Sequence, residues 1–143
     1  MSPGELDRTV VRRHLLALDQ ALQTLRQHQG RSVEALRSSR EERWVVERGL
    51  QLCIQNVLDV ATHVAASEGR DVPDYATAID LLAEFEILPA DFAARFRAVA
   101  GLRNVIVHGY LDVDPAIVHR LLNERLEDFA EFARSIGRHL GPD

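Results

Sequence analysis

The spacing of apolar residues limits what this chain can fold into more than any other feature of the sequence. Near the start, apolar side chains recur at alternating steps of four and three, at Val11, Leu15, Leu18, Leu22 and Leu25. Residues at these steps lie along one side of an α-helix, as in a helix that packs nearly parallel to a neighbour. The pattern predicts a helix from Leu6 to about Gln29, which Gly30 ends.

A second segment, from Glu41 to about Ser67, is apolar around most of the helical circumference. A helix of this kind is buried on nearly all sides, so we expect it at the centre of the fold. One line of polar side chains nevertheless follows it at steps of three and four, and we refer to it as the polar stripe: Arg48, Gln51, Gln55, Asp59 and His63. Side chains at this spacing share one face of a helix.

Start and stop signals predict three further helices, at Tyr75 to Glu86, Ala90 to about His108, and Pro115 to Leu140. Asp74 is the expected N-cap of the first of these, and Asp114 followed by Pro115 is the strongest start signal in the chain. A short helix is also expected between Gly30 and Glu42. The sequence therefore predicts an all-α fold, an up-and-down bundle of four main helices with short helices inserted, in a single domain of residues 1–143.

Composition and charge exclude several classes of protein. The net charge is −5, so a general electrostatic attraction to nucleic acid is not expected, and any contact with RNA must be local. All 17 basic residues are arginines, which excludes lysine Schiff-base chemistry and suits bidentate recognition of phosphate. Cys53 is the only cysteine, so no disulfide framework exists and a cytoplasmic location is expected. Without a signal region or a membrane-length apolar run, we expect neither secretion nor a membrane-spanning segment.

Asp59 and His63 lie one turn apart on the polar stripe, where they raise the question of a metal site. Two ligands are too few, and neither a His-Glu-x-x-His motif nor a cysteine pair accompanies them. We therefore expect no metal. Two alternatives stay open for these residues: a buried hydrogen-bonded pair, or a contribution to the cleft of a dimer.

The octapeptide RNVIVHGY, from Arg103 to Tyr110, concentrates polar side chains around an apolar triplet. The triplet favours a strand by propensity, but a lone strand would have no partner in a helical chain. Since the preceding helical pattern runs into it, we interpret the octapeptide as the last turns of a buried helix that ends near Gly109. Asn104 and His108 then share one face. In the simplest interpretation, Arg103 and His108 only satisfy the last carbonyls and the helix dipole.

The same octapeptide resembles the signature R-x4-H-x-Y of HepT-type toxins of the HEPN superfamily, the RNase half of HEPN/MNT toxin–antitoxin modules. Other segments resemble that family in order and spacing, so that the likeness covers roughly residues 5 to 140: LDVATH at 58–63, Pro73 to Leu82, ILP at 87–89 and YLDVD at 110–114. The resemblance implies the helical HEPN fold and a metal-independent endoribonuclease that needs no cofactor.

The resemblance also implies roles for residues of the octapeptide, and their chemistry suits those roles. His108 would be the general acid–base group, and Arg103 a permanent charge beside the phosphate. Asn104 would orient the histidine or bind the phosphate. The 2′-hydroxyl of the RNA would attack and leave a 2′,3′-cyclic phosphate. Because this chemistry uses both an acid and a base, and each motif has one histidine, we expect a homodimer with a shared active cleft.

Tyr110 has a separate role by resemblance, because in this family a partner MNT-type nucleotidyltransferase, the antitoxin, attaches AMP to the motif tyrosine. Added phosphate there would put negative charge where the RNA phosphate must bind. The simpler interpretation is a core tyrosine that is hydrogen-bonded to the backbone. Three hypotheses remain for the chain: an endoribonuclease toxin of a type VII-like system, a non-catalytic HEPN binding or partner subunit of a nucleotidyltransferase, and a structural oligomerisation protein.

Overall fold

A computed structural model of the chain describes residues 5–107 and 113–142, and every regular element within these ranges is an α-helix. The helices are α1 Arg8–Arg26, α2 Val33–Ser38, α3 Arg40–Ser67, α4 Tyr75–Glu84, α5 Ala90–Phe96, α6 Val99–Val107, α7 Pro115–Glu124 and α8 Leu126–Leu140. The predicted all-α helical bundle is confirmed. The single domain of residues 1–143 stays a prediction, because parts of that range lie outside the described residues.

Side-chain caps fix where five of the helices begin. In each case a side-chain oxygen accepts a backbone N–H of the first turn, and the capping residues are Asp7, Ser32, Ser39, Asp74 and Asp114. Asp74 accepts from the Thr77 amide at 2.7 Å, and this hydrogen bond lowers the pKa of the Asp74 carboxyl. The start signals at Asp74 and at Asp114-Pro115 are thus confirmed.

The long helix α3 is the central element, as its apolar circumference predicts. It packs against α1, α2, α4, α6, α7 and α8, and its side chains form the middle of the apolar core. Gly49 allows the closest approach to α1, because a Cβ atom at this position would lie 2.6 Å from Cδ2 of Leu25. The polar stripe therefore runs along a helix whose other faces are mostly buried from Val46 onwards, while Trp44 and Val45 near its start are exposed.

Two of the predicted long helices are interrupted. The helix predicted from Ala90 to about His108 is divided into α5 and α6 by a turn at Arg97 and Ala98, and its predicted end lies outside the described residues. Here the Ala100 and Gly101 amides bond to the carbonyls three residues earlier, rather than four. Tertiary contacts stabilise the turn: Arg97 forms a two-point ion pair with Asp80 on α4 at 2.9 and 3.2 Å.

The second interruption divides the segment from Pro115 to Leu140 into α7 and α8. Arg125 separates them with backbone angles of φ −120° and ψ −5°, which do not continue the helix. The change of direction lets α8 bring two aromatic rings against Phe96 of α5. Its ring centroid lies 5.5 Å from that of Phe132 and 6.0 Å from that of Phe129. Among the described helices, none is long and apolar enough to cross a membrane.

Candidate active site around Arg103

Arg103 lies on α6 with its side chain half-buried between α3 and α4. Its Nε–H donates to Oε1 of Gln55 on α3 at 2.9 Å. Its guanidinium carbon lies 5.5 Å from the centre of the Tyr75 ring, at the first position of α4. Within this distance a guanidinium is attracted to the face of an aromatic ring. Two helices therefore fix the position of this charge from two directions.

Gln55 is itself held by Asp59, one turn further along α3. The amide Nε2 of Gln55 donates to Oδ1 of Asp59 at 2.7 Å. Arginine only donates and an ionised carboxylate only accepts, so the Gln55 amide can satisfy both neighbours in one orientation alone. Three members of the predicted stripe and motif, Arg103, Gln55 and Asp59, thus form one hydrogen-bonded chain.

The start of the polar stripe supports the end of α6. Gln51 donates from Nε2 to the backbone carbonyl of Ile106 at 3.2 Å. Arg48 donates in turn to Oε1 of Gln51 at 3.3 Å. These bonds join the polar stripe of α3 to the last described turn of α6.

His63, the last residue of the stripe, has a different neighbour. Its Nε2 accepts the backbone N–H of Asp7, the N-cap of α1, at 2.9 Å. Nε2 must be unprotonated to accept this bond, so a neutral ring carries its proton on Nδ1. Asp59 and His63 are therefore each held by a different partner rather than by one another. Their expected contribution to a dimer cleft stays a prediction.

The remaining motif residues differ in how far the structure describes them. Ile106 is buried in the core, whereas Val105 is 42% exposed, so the prediction of a buried helix holds for only one of these two residues. Asn104 is exposed on α6. His108 and Tyr110 lie outside the described residues, so their pairing with Arg103 and Asn104 and their roles stay predictions.

A cavity of about 330 Å³ lies on the side of α6 that faces α7 and α8. Its floor is apolar and includes Val99 and Leu102 of α6. Three arginines from other elements lie at its rim, namely Arg95, Arg120 and Arg125. We refer to it as the arginine-rimmed cavity. Arg95 and Arg125 each lie 3.6 Å from the one carboxylate of Asp128, and Arg120 lies 3.8 Å from Glu124.

Sequence reasoning missed Tyr75 and this cavity. Tyr75 is distant from Arg103 in the chain, and its only sequence signal was its place at the start of a helix. The three rim arginines come from α5, α7 and the junction before α8, so no local pattern joins them. Over residues 5–107 and 113–142, no cluster of three or more His, Cys, Asp or Glu side chains could hold a metal ion.

Comparisons with a family model and with known proteins indicate the same family. The family model described as Ribonuclease HepT-like matches residues 18–136. The chain is 26% identical over 137 residues to the tRNA nuclease HepT of Aphanizomenon flos-aquae, covering 94% of this chain and 92% of that protein. It is 29% identical over 84 residues to the mRNA nuclease HepT of Shewanella oneidensis, covering 58% and 63% of the two proteins.

Solved structures with the same fold include a toxin bound to its antitoxin. The tri-AMPylated Shewanella oneidensis HEPN toxin in complex with MNT antitoxin matches with a TM-score of 0.78 at 21% identity, covering 91% of this chain and 98% of that one. YutE, a cytosolic protein of unknown function from Bacillus subtilis, matches with a TM-score of 0.80 at 18% identity, covering 94% and 91%. At these identities the likeness concerns the fold.

Proposed function

The chain belongs to the ribonuclease HepT-like family, and we propose that it is a metal-independent endoribonuclease toxin in which Arg103, Asn104 and His108 act on RNA. The observation that carries the proposal is the fixed position of Arg103. Its guanidinium is bonded to Gln55 and lies over Tyr75, at the helix turn that leads to His108. A charge that is already in place stabilises a transition state without a cost of reorganisation.

The proposed reaction is transesterification within the RNA. The 2′-oxygen forms a bond to phosphorus, the bond from phosphorus to the 5′-oxygen breaks, and a 2′,3′-cyclic phosphate remains. One group must take the proton of the 2′-hydroxyl and another must protonate the leaving 5′-oxygen. His108 of each of two chains would fill these roles in a two-fold dimer, while Arg103 stabilises the charge that develops on the phosphate. Asn104 is exposed on the same helix and would bind the phosphate or orient His108.

An acidic chain needs a local positive surface to bind RNA, and the arginine-rimmed cavity supplies one. Its three arginine side chains are more than half exposed and are only loosely paired with carboxylates. Its apolar floor would accept a base while the arginines contact the phosphates. This arrangement supports RNA as the substrate despite the net charge of −5.

Neutralisation is proposed to occur by AMP transfer onto Tyr110 from an MNT-type nucleotidyltransferase antitoxin. Support comes from the similarity in fold to a toxin that is itself AMPylated and bound to an MNT antitoxin. Tyr110 follows His108 by two residues, so added phosphates would bring negative charge and bulk close to the proposed phosphate site. We place both proteins in the cytoplasm, where RNA and nucleotide donors occur.

The experiment that tests this proposal uses protein made in a cell-free system without a nucleotidyltransferase. Wild type, Arg103→Ala and His108→Ala are incubated with tRNA and mRNA in EDTA, with Arg13→Ala as the control at an exposed arginine of α1. We expect cleavage by wild type and Arg13→Ala, and a loss of at least about 100-fold in the other two variants. Absence of cleavage by unmodified wild type would favour the non-catalytic partner subunit instead.

A further inference from the structure

We propose that Gln55 and Tyr75 are positioning residues that hold the Arg103 guanidinium for catalysis, and that Asp59 fixes the orientation of Gln55. The inference rests on the proposed ribonuclease function. It assigns a task to residues on α3 and α4 that lie far from the motif in the chain, and it follows from three contacts: Arg103 to Gln55, Gln55 to Asp59, and Arg103 to Tyr75.

The bond to Gln55 sets the rotation of the guanidinium plane. It uses Nε, the nitrogen next to the aliphatic stem, at 2.9 Å from Oε1 of Gln55. A planar guanidinium offers two edges for a bidentate pair with phosphate. With Nε bonded to Gln55, the edge that includes Nε is not available for a bidentate pair with a phosphate.

An amide between Arg103 and Asp59 holds the cation without neutralising it. A carboxylate in direct contact with the guanidinium would form an ion pair, and the RNA phosphate would have to compete with it. Gln55 is neutral, and it transmits the position of the carboxylate through bonds of 2.7 and 2.9 Å. Gln55 itself therefore adds no negative charge beside the guanidinium.

Tyr75 supports one face of the same group. The ring lies 5.5 Å from the guanidinium carbon, and its backbone is fixed because Asp74 caps the start of α4. This contact depends on the face of the ring and does not need the hydroxyl. A phenylalanine at position 75 should therefore perform the same task, whereas a leucine should not.

The test measures kcat and KM for RNA cleavage by Gln55→Leu, Tyr75→Leu and Tyr75→Phe. We expect kcat to fall about 10- to 100-fold in the two leucine variants, because a small displacement of a catalytic group has an effect of this size. KM should change less, and Tyr75→Phe should remain within about twofold of wild type. In the double variant with both Gln55→Leu and Tyr75→Leu, the fold-decrease in kcat should be smaller than the product of the two single decreases, because both residues act through one guanidinium.

Asn56→Leu is the matched control for a structural effect. Asn56 follows Gln55 on α3, and its half-buried amide also makes two hydrogen bonds, to the Leu52 carbonyl at 2.7 Å and to His14 at 2.8 Å. The first bond lies within α3, the second joins α3 to α1, and neither involves Arg103. This variant should lose stability as Gln55→Leu does, yet keep the kcat of wild type.

A second readout follows the contact itself. Solvent exchange of the Arg103 Nε–H, measured by nitrogen-15 NMR, should be slow in wild type and Asn56→Leu and fast in Gln55→Leu. If wild type cleaves RNA and Gln55→Leu retains its kcat, or loses no more than Asn56→Leu, the positioning role is overturned while the proposed function stands. If wild type does not cleave RNA, both the proposed function and the positioning role are overturned.

Discussion

The two sides of α6 present arginine in opposite ways. On the side that faces α3 and α4, Arg103 is half-buried, bonded to Gln55 at 2.9 Å and placed over an aromatic ring. On the side that faces α7 and α8, the three rim arginines are more than half exposed and lie 3.6 to 3.8 Å from carboxylates. Arg103 is thus held by a short hydrogen bond, whereas the rim arginines are more exposed and make only longer ion pairs, with Arg95 also lying 5.0 Å from the centre of the Phe92 ring.

This difference suits two separate tasks in cleaving RNA. A reacting phosphate needs a cation whose position does not change as charge develops. A flexible single strand needs cations that follow its backbone, together with an apolar surface for its bases. We therefore expect substitutions around Arg103 to lower kcat and substitutions at the rim of the cavity to raise KM.

The largest effect should come from replacing Arg103 by lysine. The same replacement at Arg120, on the other side of α6, is the comparison. Arg103→Lys keeps the charge but loses the Nε–H and the planar group, so kcat should fall about 100- to 1,000-fold. Arg120→Lys, at the rim of the cavity, should stay within a few-fold of wild type because only a mobile charge is needed there. Steady-state cleavage rates check both. Equal losses in the two variants would remove the distinction between fixed and adjustable charges.

Exchanging the carboxylate and the amide tests why a neutral group contacts Arg103. In the combined Gln55→Glu and Asp59→Asn variant, the new amide can donate to the new carboxylate, which still accepts from Arg103. The Nε–H should stay protected, while the guanidinium becomes an ion pair and RNA cleavage falls about tenfold. Unchanged cleavage with a protected Nε–H would show that neutrality at position 55 has no importance.

A smaller effect is expected from reversing one charge at the rim. Arg120→Glu should raise KM about three- to tenfold with little change in kcat, and should reduce the salt dependence of RNA binding by about one phosphate contact. Arg13→Glu makes the same change in net charge at an exposed position on α1 and should leave KM near that of wild type. Similar KM values for the two variants would exclude the cavity as a place where RNA binds.

The smallest effect concerns the helix start that carries Tyr75. The Thr77 amide lowers the pKa of the Asp74 carboxyl below its ordinary value of 3.8, so the ionised form is favoured by folding. The stabilisation is complete above pH 3.8 and is lost as the pH falls through the lowered pKa. Asp74→Ala should therefore melt below wild type at neutral pH, with the difference shrinking in strong acid. A difference that persists unchanged into strong acid would contradict this account of the cap.

Periodicity predicts α1 and α3 well because each helix buries a continuous set of apolar side chains. The predicted helix from Glu41 to Ser67 differs from α3 by one residue at its start. The breaks at Arg97 and at Arg125 could not be predicted in this way, since neither glycine nor proline occurs at them. Contacts with Asp80 and among the aromatic rings, which are distant in sequence, decide those positions.

The site, like the fold, depends partly on local sequence patterns and partly on contacts between residues that are far apart in the chain. The sequence places Arg103 on a helix and Gln55 and Asp59 on one face of another helix. The contact between these helices depends on how α6 and α3 pack, and that packing is set by the whole core. Tyr75 joins the site from a third helix, and its place at the start of that helix gave no indication of a contact with Arg103. The parts of the motif at His108 and Tyr110 remain predictions from the sequence.

One measurement tests the central claim, that this chain cleaves RNA through the 2′-hydroxyl without a metal, most directly. Wild-type protein free of AMP is incubated in EDTA with a substrate RNA and with the same RNA carrying a single 2′-deoxy nucleotide at the cleaved position. We expect the first RNA to be cut to leave a 2′,3′-cyclic phosphate and the second to stay intact at that position. Cleavage of the deoxy-substituted RNA at that position, or cleavage that stops in EDTA, would contradict the claim.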